Sequence, residues 1–211
     1  MLGLIKKDLL MIKGTIKFIG IFAIVYSIVA IMEGNLDGVA FIPALVCIMM
    51  MTTFSYDEYN KADAYVTTFP CGKKNVVKAK YIATIILFIA STLISVILSS
   101  AIGIINGEFT FQYSLEIALG IAIGVSIFQC LFYPVIYKFG IEKSRIGIFV
   151  LVFAIVGIGA LIAKSGINID FLQNIEAFLD NYGTFIIPIV TIVIWCISYC
   201  ISAHIYTKKE F

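Results

Sequence analysis

Charge is scarce in this 211-residue chain: Asp, Glu, Lys and Arg make up 13% of it, while apolar residues make up 61%. Ordinary soluble domains carry about 25% charged and roughly 45–50% apolar residues. A water-soluble fold of this size has no interior large enough to hide the surplus. The scarcity excludes a soluble enzyme, a disordered chain and a nucleic-acid-binding module, and leaves a protein whose solvent is mainly lipid. A single histidine rules out the H-E-x-x-H metal motif. Cysteine is sparse as well: Cys47, Cys130, Cys196 and Cys200 lie inside apolar runs, and Cys71 lies in a basic loop. An odd count at membrane depth makes no disulfide framework. These residues read as small buried hydrophobes.

What is present is a series of long uncharged runs. A helical crossing needs about 20 mostly apolar residues, and six runs of that order occur, at about 18–32, 39–56, 81–105, 117–137, 146–163 and 182–203. The first is short, but Ile16 and the snorkelling stem of Lys17 extend it. Backbone groups in lipid must be satisfied within their own segment, and none of the runs alternates as barrel strands do. The pattern predicts one all-α integral membrane domain over 1–211. The first run ends Val29-Ala30-Ile31-Met32-Glu33, with no small-x-small cleavage site, and reads as an uncleaved span.

The few charges are sorted. The N-terminus, the 57–80 loop, the 138–145 loop and the C-terminus hold nearly every Lys and the Arg. The opposite loops hold Glu33, Asp37, Glu108, Glu116, Asp170, Glu176 and Asp180, with Lys164 as their only base. The positive-inside rule therefore predicts a multi-pass cell-membrane protein with both termini cytoplasmic.

Three segments outside the runs have helical patterning. Leu2, Ile5, Leu9, Ile12 and Ile16 recur at helical spacing, which suits an in-plane amphipathic helix; a lipid-held basic tail is the alternative. Phe171, Leu172, Ile175, Phe178 and Leu179 predict a short outer amphipathic helix over about 170–181, behind an Asp170/Gln173 pair resembling a capping box. Within 57–80, Tyr59, Ala62, Val66 and Phe69 share one face of a helix that Pro70 ends near Thr68. Asn75 then caps the helix leading into the third span. The 57–68 helix is either a docking surface or an interfacial helix on headgroups.

Energy-yielding chemistry is missing. There is no G-x-x-x-x-G-K-[ST] phosphate loop. Cys196, Cys200 and His204 share a face, but eight residues of helix rise about 12 Å, too far for one ion to touch all three. No apolar run carries an ionisable residue of the kind ion-coupled carriers use. Gly120-x-x-x-Gly124 and the prolines at 43, 134 and 188 suit helix packing. Any pumping must draw its energy from a partner through the cytoplasmic loops.

The run Tyr56-Asp57-Glu58-x-Asn60, followed by Phe69-Pro70-x-x-Lys73-Lys74, Val77 and Ala79-Lys80-Tyr81, resembles the type-2 ABC-transporter permeases, specifically their short six-span branch with separately encoded ATPases. Phe69 stands where that branch usually has Leu, and Lys73 where it often has Arg. The N-terminal Lys-Lys-Asp stretch resembles the branch's elbow helix. The resemblance implies a half-transporter in a bacterial plasma membrane. It would pair with a second permease copy or paralogue, and each would engage an ATP-binding subunit. ATP and Mg would sit on that subunit, and this chain would bind no cofactor and perform no catalysis. It implies a coupling helix between spans two and three. Asp57, Glu58, Tyr59, Asn60, Lys61, Val66, Phe69 and Pro70 would contact the ATPase there, with Lys138, Lys143 and Arg145 as a second contact. Overall likeness within the branch is to permeases for phenol-soluble modulins or antimicrobial peptides. The competing class is a membrane scaffold or sensor that docks a cytoplasmic partner through 57–80.

Overall fold

The computed structural model describes residues 2–33, 41–62, 72–106, 111–147 and 170–209, together with 150 and 153. Five long helices account for most of them: α1 (Leu2–Glu33), α2 (Ile42–Tyr59), α3 (Lys73–Asn106), α4 (Phe111–Phe139) and α5 (Asp170–Lys208). A further helical stretch covers 141–147. The described residues contain no strand. Helices α1, α3, α4 and α5 contain segments long and apolar enough to cross a membrane: Leu2–Val29, Lys73–Ile105, Ser114–Phe139 and Ile186–Lys208. Helix α2 is the short one, at 18 residues, and the acidic pair Asp57-Glu58 at its end keeps it outside that group.

Helix α3 is the axis of the bundle and packs against each of the other four. Two apolar clusters hold it there. One joins Phe54, Tyr81, Tyr133, Tyr137 and Tyr206 across α2, α3, α4 and α5. The other joins Ile12, Val46, Met50, Ala83 and Phe88 across α1, α2 and α3. Edge-to-face aromatic contacts dominate the first, with Tyr81 and Tyr133 centroids 5.0 Å apart and Tyr137 and Tyr206 5.4 Å apart. Such geometry sets the positive ring edge against the negative ring face.

Hydroxyl chains thread the same interface. Ser198 donates to the carbonyl of Cys130 at 2.5 Å, so it accepts from Tyr81, whose hydroxyl lies 2.7 Å away. Ser202 then donates to Tyr81 at 2.9 Å. Thr84 donates to its own helix at the Lys80 carbonyl, and therefore accepts from Tyr133. Gln129 completes this chain by donating to Tyr133 at 2.6 Å. Interhelical hydrogen bonds of this kind hold membrane helices that the hydrophobic effect alone does not press together.

The structure corrects several expectations. Residues 2–13 do not form a separate in-plane helix but continue into the first apolar run as α1. No proline interrupts that stretch, and the middle of its patterned face meets protein: Asp8 and Ile12 are buried and Ile5 packs on the second cluster, while Leu2 and Ile16 are exposed. Residues 170–181 likewise are no separate outer helix, because α5 runs unbroken for 39 residues. That is about 58 Å, nearly twice a hydrocarbon core of about 30 Å, so α5 extends well past a bilayer. Its Pro188 lies inside the helix, as Pro134 does in α4. Helix α3 starts at Lys73 behind Gly72 (φ +67°), so Asn75 stands inside the first turn and not at the cap position. Cys47 and Cys130 are buried, but Cys196 and Cys200 are exposed on α5 along with His204. Most of the 146–163 run lies outside the described residues.

Candidate functional site

One end of each of the five helices gathers at the same end of the bundle. The first turns of α1 and α3 lie there, with the last turns of α2, α4 and α5. The acidic dipeptide at the end of α2 is the meeting point. Asp57 Oδ1 accepts from Lys7 Nζ of α1 at 2.7 Å, and Asp57 Oδ2 accepts from Lys80 Nζ of α3. Asp8 completes the group, 3.4 Å from Lys7 and 4.0 Å from Lys80. The side chains of Lys80, Asp8 and Asp57 are 5%, 4% and 11% exposed. Lys80 also sits 4.2 Å from the Phe54 ring centroid, a cation–π contact within the same pocket.

Two lysines and two aspartates give a neutral cluster, which is the condition for burying such charges. Removing one partner of a buried pair costs roughly 3–5 kcal/mol, because the survivor stays buried without compensation. Asp57 lies beyond the apolar run 39–56. Burial pushes its carboxyl up, but the ammonium groups of Lys80 and Lys7 pull harder and hold it below the usual carboxylate range.

Glu58 points elsewhere. Its Oε2 accepts the backbone N–H of Ile141 at 2.6 Å, one of the donors that the start of the 141–147 helix leaves unpaired. Gly140 makes this approach possible. It closes α4 in the left-handed region (φ +83°), with its N–H on the Ile136 carbonyl at 2.8 Å. A Cβ at that position would lie 2.7 Å from Glu58 Oε1. Arg145 adds a second tie by donating to Ser55 Oγ at 2.8 Å.

Beside this clamp opens a cleft of about 560 Å³, walled by Tyr56, Glu58 and Tyr59 of α2 and by Ile141, Glu142 and Arg145. Tyr59 stands at its rim, 87% exposed. Beyond it the chain turns through Asn60 and Lys61, the latter at φ +49°. A smaller cavity of about 100 Å³ lies behind, between Asp57, Glu58, Lys80, Tyr137, Gly140 and Lys209. At membrane depth an apolar groove of about 370 Å³ runs between α3 and α4, with Trp195 of α5 at one side. Its hydroxyls, on Thr92 and Ser126, are spent on carbonyls of their own helices.

A family model described as ABC-2 family transporter protein matches residues 3–207. The chain belongs to the ABC-2 transporter family. No curated protein and no solved structure matches it significantly. Permeases of the ABC-2 family are typically the non-catalytic membrane subunits of transporters that associate with an ATP-binding subunit.

Within this ABC-2 permease the expected partner-contacting residues divide into three groups. Asp57 is buried in the ionic cluster, and Glu58 commits one carboxylate oxygen to Ile141. Tyr59, Asn60 and Lys61 are exposed, as are Lys138, Lys143 and Arg145. Val66, Phe69 and Pro70 lie outside the described residues. The last turn of α2 holds 57–59, so that end of the expected coupling helix belongs to the second helix itself. The structure brings the two expected contact segments together across the cleft, a proximity that sequence separation concealed. Lys7 and Lys80 escaped the sequence reading as partners of Asp57, and so did Asp8 as a second acid beside both lysines. Their one signal was isolation: Asp8 is the only acid before Glu33, and Lys80 is the last charge before a long apolar run.

Proposed function

We propose that this permease is the transmembrane subunit of an ATP-driven exporter whose ATP hydrolysis takes place on a separately encoded ATP-binding subunit. Both termini face the cytoplasm, and the basic end of the bundle faces the partner. Two permease subunits, identical or paralogous, pair to form the conduit. The cargo is amphipathic or hydrophobic, a peptide such as a phenol-soluble modulin or an antimicrobial peptide. Membership of the ABC-2 family supports the transport role, and an energy source on another chain is in keeping with the lack of a phosphate loop in this sequence. The apolar groove between α3 and α4 suits a greasy passenger.

One observation carries the coupling part. Tyr59 is a large, almost fully exposed side chain at the rim of a cleft that joins the end of α2 to 141–145. An exposed aromatic with charged neighbours is the usual make-up of an interface anchor. The segment from Tyr59 through Phe69 docks on the ATP-binding subunit, and Lys138, Lys143 and Arg145 form the smaller second contact. Rigid-body tilting of the helices then follows closure of the ATP-binding pair. The test is co-purification of the tagged permease with the product of a neighbouring reading frame that carries a phosphate loop. Stoichiometric capture that is lost on replacing 59–69 supports the assignment, and undiminished capture refutes it.

A further inference from the structure

The dipeptide Asp57-Glu58 does something that one residue cannot. Consecutive residues of an α-helix point about 100° apart, so two adjacent carboxylates address two different neighbours. Asp57 reaches α1 through Lys7 and α3 through Lys80. Glu58 reaches the start of the 141–147 helix through the Ile141 N–H, against the α4-terminating Gly140. The contacts span 50, 23 and 83 residues of sequence. All are made within the turn of α2 that leads into the Asn60–Lys61 bend, and Lys80 stands two turns into the helix that leaves the loop. Both stems of the 60–72 loop are therefore fastened to each other and to α1.

We propose that Asp57 and Glu58 are a positioning pair. Through Asp57 the end of α2 moves α1 and α3, and through Glu58 it moves the turn between α4 and 141–147. A displacement of the loop thus reaches the whole basic end of the bundle and not α2 alone. That the loop is what gets displaced rests on the transport reading; the linkage itself rests on the contacts. The neutral buried cluster suits this role, since its members hold one another in fixed geometry and lose heavily if drawn apart. The clamp at Ile141 suits it too, because Glu58 occupies the space beside Gly140 that a Cβ there would fill.

The test is amide hydrogen exchange on the full chain in lipid nanodiscs, comparing Asp57→Asn/Lys80→Met with Glu58→Ala. The first variant removes a charge pair together and keeps the volume filled. It should exchange at least tenfold faster over 6–12, with 141–147 unchanged. Glu58→Ala should show the reverse: tenfold faster exchange over 141–147, with 6–12 unchanged. Equal acceleration of both segments in either variant, or of neither, overturns the linkage, because a general loss of stability has no such selectivity. In the assembled transporter both variants should still hydrolyse ATP but move at least fivefold less cargo per ATP; an unchanged ratio overturns the positioning role. A wild-type permease that holds no ATP-binding subunit refutes the transport reading, and the exchange pattern still decides the linkage.

Discussion

Glu58 and Ile141 are 83 residues apart in sequence, yet the carboxylate of one lies 2.6 Å from the backbone nitrogen of the other. This contact fixes the turn after α4 to the end of α2 and explains why Gly140 stands where it does. A side chain at 140 meets two penalties. Its backbone sits in the left-handed region (φ +83°), and its Cβ would lie 2.7 Å from Glu58 Oε1. Gly72 has the first problem (φ +67°), but among the described residues nothing lies within 4 Å of a Cβ there. Gly72→Ala should cost about 1–2 kcal/mol, the usual cost of a left-handed non-glycine residue. Gly140→Ala should cost visibly more in thermal unfolding of the detergent-solubilised chain. Equal losses would show that Glu58 gives way freely.

The ionic cluster makes a non-additive prediction. Lys80→Met alone leaves Asp57 short of a partner, and Asp57→Asn alone leaves Lys80 buried beside only Asp8. Each single variant should lose roughly 3–5 kcal/mol. The double variant should lose less than the sum, with a coupling of about 1–3 kcal/mol in a double-mutant cycle. Simple additivity would mean the two groups do not sense each other.

Acid should act through the same group. The Asp57 carboxyl is pushed up by burial but held lower still by Lys80 and Lys7, with a net depression. A group with a depressed folded pKa adds stability above its unfolded value, about 3.9 for Asp, and loses it as pH falls through the folded value. The wild-type unfolding midpoint should therefore drop on acidification below about pH 4, and Asp57→Asn should flatten that drop. The same acid slope in both proteins would assign the effect to other carboxylates.

Tyr59 separates binding from folding. It is 87% exposed, so Tyr59→Ala should leave the unfolding midpoint within about 0.5 kcal/mol of wild type. The same substitution should weaken capture of the ATP-binding subunit by at least tenfold, about 1.4 kcal/mol. Unweakened capture removes Tyr59 from the interface.

The long helices α3, α4 and α5 were legible in the sequence, because an uncharged run of such length has few other folds open to it. Patterning was less informative. The apolar stripe through Ile5 and Ile12 predicted a helix correctly, but a stripe does not say whether lipid or protein covers it. Here α2 and α3 cover its middle, and Asp8 is drawn inside with Ile12. The outer helix was misjudged as separate because no residue between Asp180 and Ile186 stops a helix strongly enough. The Asp-Glu pair was noticed, but its partners come from α1, α3 and the turn after α4, and pairing across such distances leaves no periodic trace. What showed was the chemistry at one end, of which Asp57 faces in while Tyr59, Asn60, Lys61, Lys138, Lys143 and Arg145 are exposed.

This membrane bundle is proposed to do mechanical work on energy released in another chain. The most direct test is transport by the permease and its ATP-binding subunit reconstituted in sealed vesicles, with a labelled amphipathic peptide as cargo. ATP on the nucleotide-binding side should drive accumulation, and a catalytically dead ATP-binding subunit should abolish it. Accumulation driven by a proton gradient without nucleotide, at the same rate with the dead subunit, would contradict the account.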